Sequence, residues 1–370
     1  MSLTIRLAIL GTALALSFGH AALMADAMRV HVIDVGQGAA TLVECPCGAV
    51  LIDTGGERTP DQEWLPAIYD STPALVGYLR EFFKGRPDLN NQLALLYLTH
   101  PHPDHTRGVA AVIKEFRPRS VVTNGQSTGV GADWQTLARD YAKSAGVPSW
   151  FVLARTSNHT TGLTNAAIDP LSCSPTDPKL RALWGQVENS TGWDIGDFGD
   201  ANNHSAVLRI DYGQASILFT GDLEEATHPG NLAGIERLVA AYKSSGLLDA
   251  DVYHVGHHGS HNGTTPGLVS AISPEIAVIS AGPACQRDGF TAWTHGHPRT
   301  VTIHDLEQGV SGTRVPKNVK AFDHFGAQPT TLNVQKAIYS TGWDGTIVLQ
   351  GESSGAWSVA STTGPHSCLQ

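Results

Sequence analysis

The sequence predicts an α/β protein in which sheets lie in the middle and helices pack outside them. Two strand-rich blocks, separated by a loop-rich segment, each carry apolar strands that are followed by helices of 3.6-residue period. The chain has 370 residues and is 41% hydrophobic, which is enough to bury the large core of such a fold. The apolar run 94–98 ends abruptly in a cluster of histidines, and we expect the fold to be organised around that point.

The N-terminal block begins with three predicted strands, at 29–35, 40–43 and 49–52. They are rich in β-branched residues and are separated by short turns, so the pattern indicates consecutive antiparallel hairpins. Strands and helices are then expected to alternate. The strands are predicted at 94–98, 120–124 and 149–153, and the helices at 72–84, 109–116 and 133–145.

Residues 154–202 interrupt this alternation. They are rich in polar turn residues and have no clear periodicity, so we interpret them as an inserted loop region that lies over the site. Trp184 and Trp193 in this segment either contact substrate or pack on the core. Beyond it, strands are predicted at 205–211, 215–220, 252–255, 276–280, 334–340, 345–349 and 356–360, and helices at 235–243, 266–272 and 299–308.

Four metal-ligand side chains follow the apolar run directly: His100, His102, Asp104 and His105. Neutral imidazoles and carboxylates are ligands of zinc-like ions. His100 and His102 are two residues apart, so at an extended strand end they point the same way and can share one metal. Asp104 and His105 come where the chain turns, and they can face a second metal. An ordinary turn is the alternative, but four ligands in six residues after a buried strand favour a metal site.

Two later strand ends carry further ligands. Asp222 follows one strand, and His257 and His258 follow another. A carboxylate between two metals can bridge them, so Asp222 is the candidate bridge. Of the two histidines, one is expected to be a ligand and the other to support a ligand or contact substrate, and the spacing leaves open which is which. Asp53, at the end of an N-terminal strand, either orients a metal-binding histidine or caps a turn.

The N-terminus and the charge bear on location and partners. Residues 1–27 contain Arg6, an uncharged apolar stretch and an A-x-A sequence, which predicts a signal peptide, with a buried helix as the alternative. The mature domain, 28–370, is then secreted or periplasmic and has no membrane-spanning segment. A net charge of −10 disfavours general nucleic-acid binding, because phosphate contacts need a basic surface. The oligomeric state is left open.

Five cysteines are compatible with export, since disulfides persist outside the cytoplasm. Cys45 and Cys47 are too close in sequence to bond to each other easily, so we expect each to bond elsewhere. An odd number leaves one thiol over, and the connectivity cannot be read from the spacing.

The ordered motifs resemble the metallo-β-lactamase superfamily, which has H-x-H-x-D-H, a later Gly-Asp and a still later His. Over residues 29–345, apart from 154–202, the chain looks like the extracellular hydrolase domain of ComEC-type DNA-uptake proteins. It also looks like secreted enzymes of the phosphorylcholine esterase type. The stretches that carry this resemblance are HVIDVGQGAATLV, VLIDTGG, LTHPHPDHTRG, NNHSAVLRI, ILFTGDLE, VGHHGSH and GHP.

This resemblance implies a four-layer αβ/βα sandwich that binds two zinc ions, or manganese or another divalent metal. His204 stands at a variable place of the family pattern, and its role as a ligand stays open. Asp104 is implied to orient the attacking hydroxide, and His258 and His297 to donate to the reacting group. The implied metal ligands are His100, His102, Asp104, His105, Asp222 and His257.

The implied function is a secreted hydrolase that cleaves phosphodiester or phosphate ester bonds through a metal-bridging hydroxide. Its partner is a small phosphoester or a nucleic acid, and a basic track is indicated only by Arg299, Arg314, Lys317 and Lys320. One alternative is a lactonase or β-lactamase-type hydrolase of acyl bonds. The other is a non-catalytic exported module that binds a metal or ligand, against which the intact ligand set argues.

Overall fold

The computed structural model describes residues 27–59, 69–150, 161–185, 199–227, 234–285 and 291–364. The predicted signal segment up to residue 26 and Trp193 lie outside these ranges. Within them, no helix is both long enough and apolar enough to cross a membrane.

The strands of the described ranges are β1 (Ala27–Val32), β2 (Thr41–Cys45), β3 (Gly48–Ile52), β4 (Arg58–Thr59), β5 (Tyr69–Asp70), β6 (Leu95–Leu98), β7 (Val121–Thr123), β8 (Ser149–Trp150), β9 (Lys179–Ala182), β10 (Leu208–Tyr212), β11 (Ala215–Phe219), β12 (Val252–His254), β13 (Ile276–Ile279), β14 (Thr313–Ala321), β15 (Thr330–Lys336), β16 (Ile338–Ser340), β17 (Ile347–Glu352) and β18 (Trp357–Thr362). The helices are α1 (Ser71–Gly85), α2 (Pro103–Thr106), α3 (Val109–Phe116), α4 (Ala132–Ala145), α5 (Gly234–Tyr242), α6 (Pro266–Ile272), α7 (Ala292–His295), α8 (Thr300–Gly309) and α9 (Thr341–Asp344).

Two mixed sheets form the centre of the described structure. The first has the strand order β18-β17-β1-β2-β3-β6-β7-β8, and the second has the order β16-β13-β12-β11-β10-β9. Strands β1 to β3 form the predicted antiparallel hairpins. Strands β3, β6, β7 and β8 are parallel to one another, as are β11, β12, β13 and β16. The carboxyl ends of these parallel strands form the edge at which the candidate ligands lie.

Side chains alternate along the strands between two buried cores. In β6, Leu95 and Tyr97 belong to the core between the sheets, while Leu96 and Leu98 belong to the core under α1, α3 and α4. Because both faces of the strand are buried, it is continuously apolar rather than alternating in sequence. Helices α5, α6 and α8 pack on the second sheet through Leu238, Leu268 and Ile303. The predicted four-layer αβ/βα sandwich is confirmed.

The described part of 154–202 is not loop throughout. Strand β9 lies inside it and pairs with β10 as the edge strand of the second sheet. Trp184 packs on the core and donates from Nε1 to the carbonyl of Asn203 at 3.1 Å, which is the structural alternative for this residue. A four-residue edge strand is too short for its alternation to stand out, which is why the sequence pattern missed it.

The C-terminal region differs from the prediction in two ways. The run predicted as one strand at 334–340 is split, since β15 pairs with β14 whereas β16 joins the second sheet beside β13. Strand β14 was not predicted, because most of its side chains are polar and face solvent. Strands β17 and β18 extend the first sheet beyond β1.

The cysteines follow the expectation in part: Cys47 bonds elsewhere as predicted, and the prediction that Cys45 also does so is wrong. Cys47 is bonded to Cys173, and Cys285 is also disulfide-bonded. Cys45 does not bond to Cys47 and is a buried free thiol. Burial raises the pKa of this thiol to about 12, so it stays protonated at neutral pH.

Candidate metal centre

The candidate ligands meet where parallel strands of both sheets end. Strand β6 ends shortly before His100, β11 shortly before Asp222, and β12 shortly before His258. Within the described part of the chain, one group brings four ligand atoms within 4.8 Å of one another. The group consists of Asp104, His105, Asp222 and His258. Two imidazole nitrogens and two carboxylate oxygens suit a divalent cation of the zinc type.

The carboxylate of Asp222 lies near histidines from two separate parts of the sequence. Its Oδ2 lies 3.2 Å from Nε2 of His105 and 3.4 Å from Nε2 of His258. The same oxygen lies 3.9 Å from Nε2 of His100, which is itself 3.2 Å from Nδ1 of His102. The carboxylate of Asp222 therefore lies near both the pair His105 and His258 and the pair His100 and His102, as a bridging ligand would. The structure brings these predicted residues together, and their roles as ligands stay predictions.

In two histidines of the cluster, Nδ1 is hydrogen-bonded to an oxygen of a neighbouring residue. Nδ1 of His105 lies 2.7 Å from Oδ2 of Asp53, and Nδ1 of His258 lies 2.7 Å from the carbonyl oxygen of Ser280. Both oxygens accept hydrogen bonds, so each Nδ1 carries the hydrogen and each Nε2 turns its lone pair to the cluster. Asp53 also accepts bonds from the backbone N–H and hydroxyl of Thr99 at 2.8 Å. Of its two interpretations, orientation of a histidine fits these contacts.

The two consecutive histidines after β12 occupy different positions. His258 belongs to the four-residue group and lies 3.1 Å from Oδ2 of Asp104. His257 is farther out, with Nε2 4.0 Å from Asp222 and Nδ1 3.2 Å from Oε1 of Glu224. The family resemblance implies His257 as the ligand and His258 as the donor, and these distances favour the reverse assignment. Both residues have left-handed backbones, with φ of 48° and 52°, a turn that the spacing could not reveal.

His297 lies beside these histidines, as predicted for a residue near the reacting group. Its ring centroid is 5.6 Å from that of His257 and 6.2 Å from that of His258. Gln37 Nε2 donates to its Nδ1 at 3.2 Å, so Nε2 of His297 carries the hydrogen. Burial and the neighbouring histidines hold the pKa of His297 well below its usual value, which keeps the ring neutral. Nothing in the local sequence pattern around Gln37 indicates this contact with His297.

Burial and charge oppose each other inside the cluster. Burial alone would raise the pKa values of Asp104 and Asp222, but the nearby His105 and His258 hold both pKa values below the usual range. Burial likewise disfavours the imidazolium forms, yet the carboxylates raise the pKa values of His105 and His258. The cluster thus favours positive charge at its centre, carried either by protons or by bound cations.

Glycines allow the loop that carries Asp104 and His105 to pack tightly against the N-terminal strands. A Cβ on Gly55 would lie 1.9 Å from the carbonyl oxygen of Asp104, so only glycine fits there. On either side, the N–H of Ala39 donates to that carbonyl at 2.9 Å and the N–H of Thr54 donates to the carbonyl of His105 at 2.7 Å. The turns after β1 and β3 therefore fix the backbone that carries Asp104 and His105.

The segment 203–205 supports Asp222 from the other side. The Oγ of Ser205 accepts a hydrogen bond from the N–H of Asp222 at 2.9 Å. Gly221 has a φ of +57°, and a Cβ there would lie 2.7 Å from Cβ of Ser205. His204 is buried and its carbonyl accepts from Asn124 at 3.1 Å, but it is not a member of the four-residue group. Its role as a ligand stays open.

Three of the four basic residues that hint at a nucleic-acid track are paired with a carboxylate or buried. Arg314 and Lys317 both donate to Oδ1 of Asp344, at 2.8 and 2.7 Å. Arg299 is buried, and only Lys320 of the four predicted basic residues is exposed. These contacts leave little positive surface from this set for a polyanion.

The fold and the cluster together define a class of protein, the αβ/βα sandwich with a histidine and aspartate cluster that could hold a metal. The chain belongs to the metallo-β-lactamase superfamily, whose family profile matches residues 33–282. Members of this superfamily are typically metal-dependent hydrolases, so the prediction that the chain is such an enzyme is confirmed at the level of the family.

Two relatives show which proteins the chain resembles in sequence. Recombination protein 2 of Haemophilus influenzae is 26% identical over 297 residues, which is 79% of this chain and 28% of that protein. ComE operon protein 3 of Bacillus subtilis is 28% identical over 258 residues, which is 69% of this chain and 28% of that protein. The chain thus spans little more than a quarter of either relative. The predicted resemblance to competence proteins of the ComEC type is confirmed.

Solved structures also match the chain, at low identity. The metallo-β-lactamase fold protein YhfI from Bacillus subtilis is 11% identical, with a TM-score of 0.40, and the match covers 83% of this chain and all of that one.

Proposed function

We propose that the chain is an exported dinuclear-metal hydrolase that cleaves phosphodiester or phosphate ester bonds. The observation that carries the proposal is the shared carboxylate of Asp222, which lies within 4.0 Å of nitrogens from separate histidine groups. This supports two adjacent cation positions, one beside His100 and His102 and the other beside the four-residue group. Zinc suits these nitrogen and oxygen donors, and manganese or another divalent metal is the alternative.

When bound, two divalent cations lower the pKa of a water molecule and neutralise charge on the phosphoryl oxygens. The side chains then have separate tasks. Asp104 and Asp222 orient the attacking water through their carboxylates. His297 donates from Nε2 to a phosphoryl oxygen, and His257 protonates the leaving oxygen. This assignment exchanges the predicted tasks of His257 and His258, as the distances favour.

The histidines at the edge of the cluster favour the proposal of a phosphoryl substrate over that of an acyl substrate. The ring of His297 lies 5.6 Å from that of His257 and 5.9 Å from that of His295. Three imidazoles on one side of the cluster can donate to several oxygens at once. A phosphodiester offers four oxygens around phosphorus, whereas a lactone or β-lactam offers one carbonyl oxygen to such donors.

Two substrate classes remain within the proposal. The names of the relatives, a recombination protein and a ComE operon protein, make nucleic acid the first polymer to test. The net charge of −10 and the pairing of Arg314 and Lys317 with Asp344 favour a small phosphodiester. Because the charge belongs to this chain itself, we rank the small substrate first.

The test compares turnover of several substrates by zinc- or manganese-loaded protein: bis-p-nitrophenyl phosphate, single-stranded DNA, a lactone and nitrocefin. We expect turnover of the phosphodiester and its loss in Asp222→Asn. The matched control is Asp323→Asn, an exposed carboxylate outside the cluster that should keep full activity. Turnover of the lactone or nitrocefin alone would replace the proposal with an acyl hydrolase, and bound metal without any turnover would favour a binding module.

Export is a separate part of the proposal. It is supported by the apolar N-terminal stretch and by the disulfide between Cys47 and Cys173. Mass spectrometry of protein collected outside the cytoplasm should find an N-terminus at Met28. Protein that keeps residues 1–27 would contradict the predicted cleavage.

A further inference from the structure

Arg299 is a buried arginine without a counter-charge, and it lies two residues after His297. It is 9% exposed, and among the described residues no carboxylate forms an ion pair with it. Its Nη2 makes a long hydrogen bond of 3.4 Å to the carbonyl of His295, and its Nε is buried without a hydrogen-bond partner. Burial lowers the pKa of Arg299, but an arginine stays charged near neutral pH. Its positive charge is therefore held where burial is costly and where no described residue neutralises it.

The position of Arg299 at the start of a helix adds to this cost. Arg299 is the N-cap of α8, and its side chain makes no capping hydrogen bond. The N-terminus of a helix carries partial positive charge, so a cation there is unfavourable and an anion is favourable. The buried guanidinium and the start of α8 thus both favour an anion at the same place.

The backbone of Arg299 is fixed between the candidate site and the hairpin of β14 and β15. Its N–H donates at 2.8 Å to the carbonyl of Gly259, which directly follows His258. On the other side, the N–H of Thr300 donates to the carbonyl of Phe322 at 3.0 Å. The turn after His258 and the hairpin therefore hold Arg299 beside the site.

The side chain of Arg299 belongs to the edge of the site. The carbonyl that its Nη2 contacts is that of His295, whose ring lies 5.9 Å from the ring of His297. Burial, followed by the positive charge of Arg299, holds the pKa of the exposed His261 below its usual value. Arg299 is thus placed among the outer histidines rather than among the candidate ligands. An anion bound by Arg299 is therefore a different group from the one that the metal centre holds.

We infer that Arg299 binds a second phosphate of the substrate, which is not cleaved and which neighbours the scissile phosphodiester. This inference rests on the proposed function and narrows its substrate class to a small phosphodiester that carries a further phosphate. A guanidinium presents paired N–H groups that match two oxygens of one phosphate. A single phosphate at Arg299 needs no basic track, so it is compatible with the net charge of −10.

The first experiment compares thymidylyl-thymidine without a terminal phosphate with the two forms that carry one at the 5′ or the 3′ end. Cleavage of the internal diester is followed by chromatography. Metal-loaded wild-type protein should have a kcat/KM about 10- to 100-fold higher for at least one phosphorylated form. In Arg299→Gln this ratio should fall to about one, because the charged donor of the second phosphate is lost.

The matched control is Arg119→Gln, which also removes one positive charge. Arg119 is exposed and precedes the amino end of β7, whereas the cluster lies at the carboxyl ends of the strands. This variant should keep the wild-type ratio. Equal kcat/KM for all three dinucleotides in the wild type, or an unchanged ratio in Arg299→Gln, would overturn the inference.

Two further measurements separate binding from a structural role. Arg299→Lys keeps the charge without the paired N–H groups, so its ratio should lie between those of the wild type and Arg299→Gln. It also keeps the test valid if Arg299→Gln fails to fold. Because the charge is uncompensated in the free protein, Arg299→Gln should melt at the wild-type temperature or above it. A lower melting temperature with an unchanged ratio would make Arg299 a structural residue and refute the inference.

Calorimetry tests the same contact without turnover. Metal-loaded wild-type protein should bind thymidine 3′,5′-bisphosphate about 10-fold or more tightly than either thymidine monophosphate, and this difference should disappear in Arg299→Gln. Equal affinities in the wild type would contradict the inference. If wild-type protein cleaves no phosphodiester, the proposed function fails, while the difference in affinity still decides whether Arg299 binds a second phosphate.

Discussion

Nε2 of His105 lies 3.2 Å from Nε2 of His258. Each ring is bound at Nδ1 to an acceptor, His105 to Asp53 and His258 to the carbonyl of Ser280. Two lone pairs would therefore face each other at this distance unless a positive charge lies between or beside them. With Asp104 and Asp222 as neighbours, the pair is arranged for a cation, and this relationship supports His258 as the ligand.

The first prediction separates the two consecutive histidines. His258→Gln should lower the metal content from about two to about one per chain, because it removes a donor of the four-residue group. His257→Gln should keep both metals and lose turnover, because its ring lies farther from Asp222. Inductively coupled plasma mass spectrometry on both variants measures this. Loss of metal from His257→Gln with full retention in His258→Gln would restore the assignment made from the sequence.

The second prediction concerns Asp53, which orients His105. Asp53→Asn should weaken metal binding about 10- to 100-fold, because the amide cannot hold the imidazole as the carboxylate does. Competition with a chromophoric chelator measures the affinity. The control is Asp70→Ala, which removes the side chain that accepts from the N–H of Thr72 at the N-terminus of α1 and should lower stability without changing metal affinity. Equal metal affinities in the two variants would count against the orienting role.

The third prediction concerns Asp344, a buried carboxylate outside the site. Burial alone would raise the pKa of Asp344, but hydrogen bonds from Arg314 and Lys317 hold it below the usual value. Asp344→Asn should lower the free energy of unfolding at pH 7 by about 3 kcal/mol, because it leaves Arg314 without its counter-charge. Urea unfolding measures the difference.

The pH dependence of this difference has a definite sign. The folded pKa of Asp344 is depressed, so its contribution is fully present above about pH 4, the unfolded value, and is lost as the pH falls through the folded pKa. The gap between wild type and Asp344→Asn should therefore narrow in acid. Asp88→Asn, which removes an exposed pair with Arg86, should cost less than about 1 kcal/mol. A gap that is constant from pH 7 to pH 3 would refute the ion-pair explanation.

The fourth prediction concerns the disulfide between Cys47 and Cys173, which are 126 residues apart. It joins the turn after β2 to the segment before β9. Replacing both cysteines with alanine should lower the free energy of unfolding by about 2–5 kcal/mol, because the crosslink restricts the unfolded chain. Cys45→Ala, at the buried free thiol, should cost less. A double variant as stable as wild type would show that the crosslink contributes nothing.

Most of the sandwich could be predicted from the sequence because its elements are buried on a regular period. Helix α3 was predicted with the observed bounds, and β6 and α1 to within one residue at each end. Strand β9 was missed because four edge residues carry too little pattern, and β14 was missed because its outward side chains are polar. Pairing of β17 with β1 joins segments over 300 residues apart, which no local pattern can reveal.

The candidate site was predictable in composition but not in geometry. His100, His102, Asp104, His105 and Asp222 follow strand ends, and the ends of parallel strands meet. The exchange between His257 and His258 depends on two left-handed residues in succession, which leave no periodic trace. Gln37 was missed because it contacts His297, which is distant in sequence, and a lone polar residue between two glycines resembles any other turn.

The most direct test of the central claim is turnover measured while metal is returned to chelated protein. Hydrolysis of bis-p-nitrophenyl phosphate should be absent after chelation and should rise to a plateau near two equivalents of zinc or manganese, with Asp222→Asn inactive throughout. Turnover that survives chelation, or two bound metals with no turnover of this diester, would contradict the account.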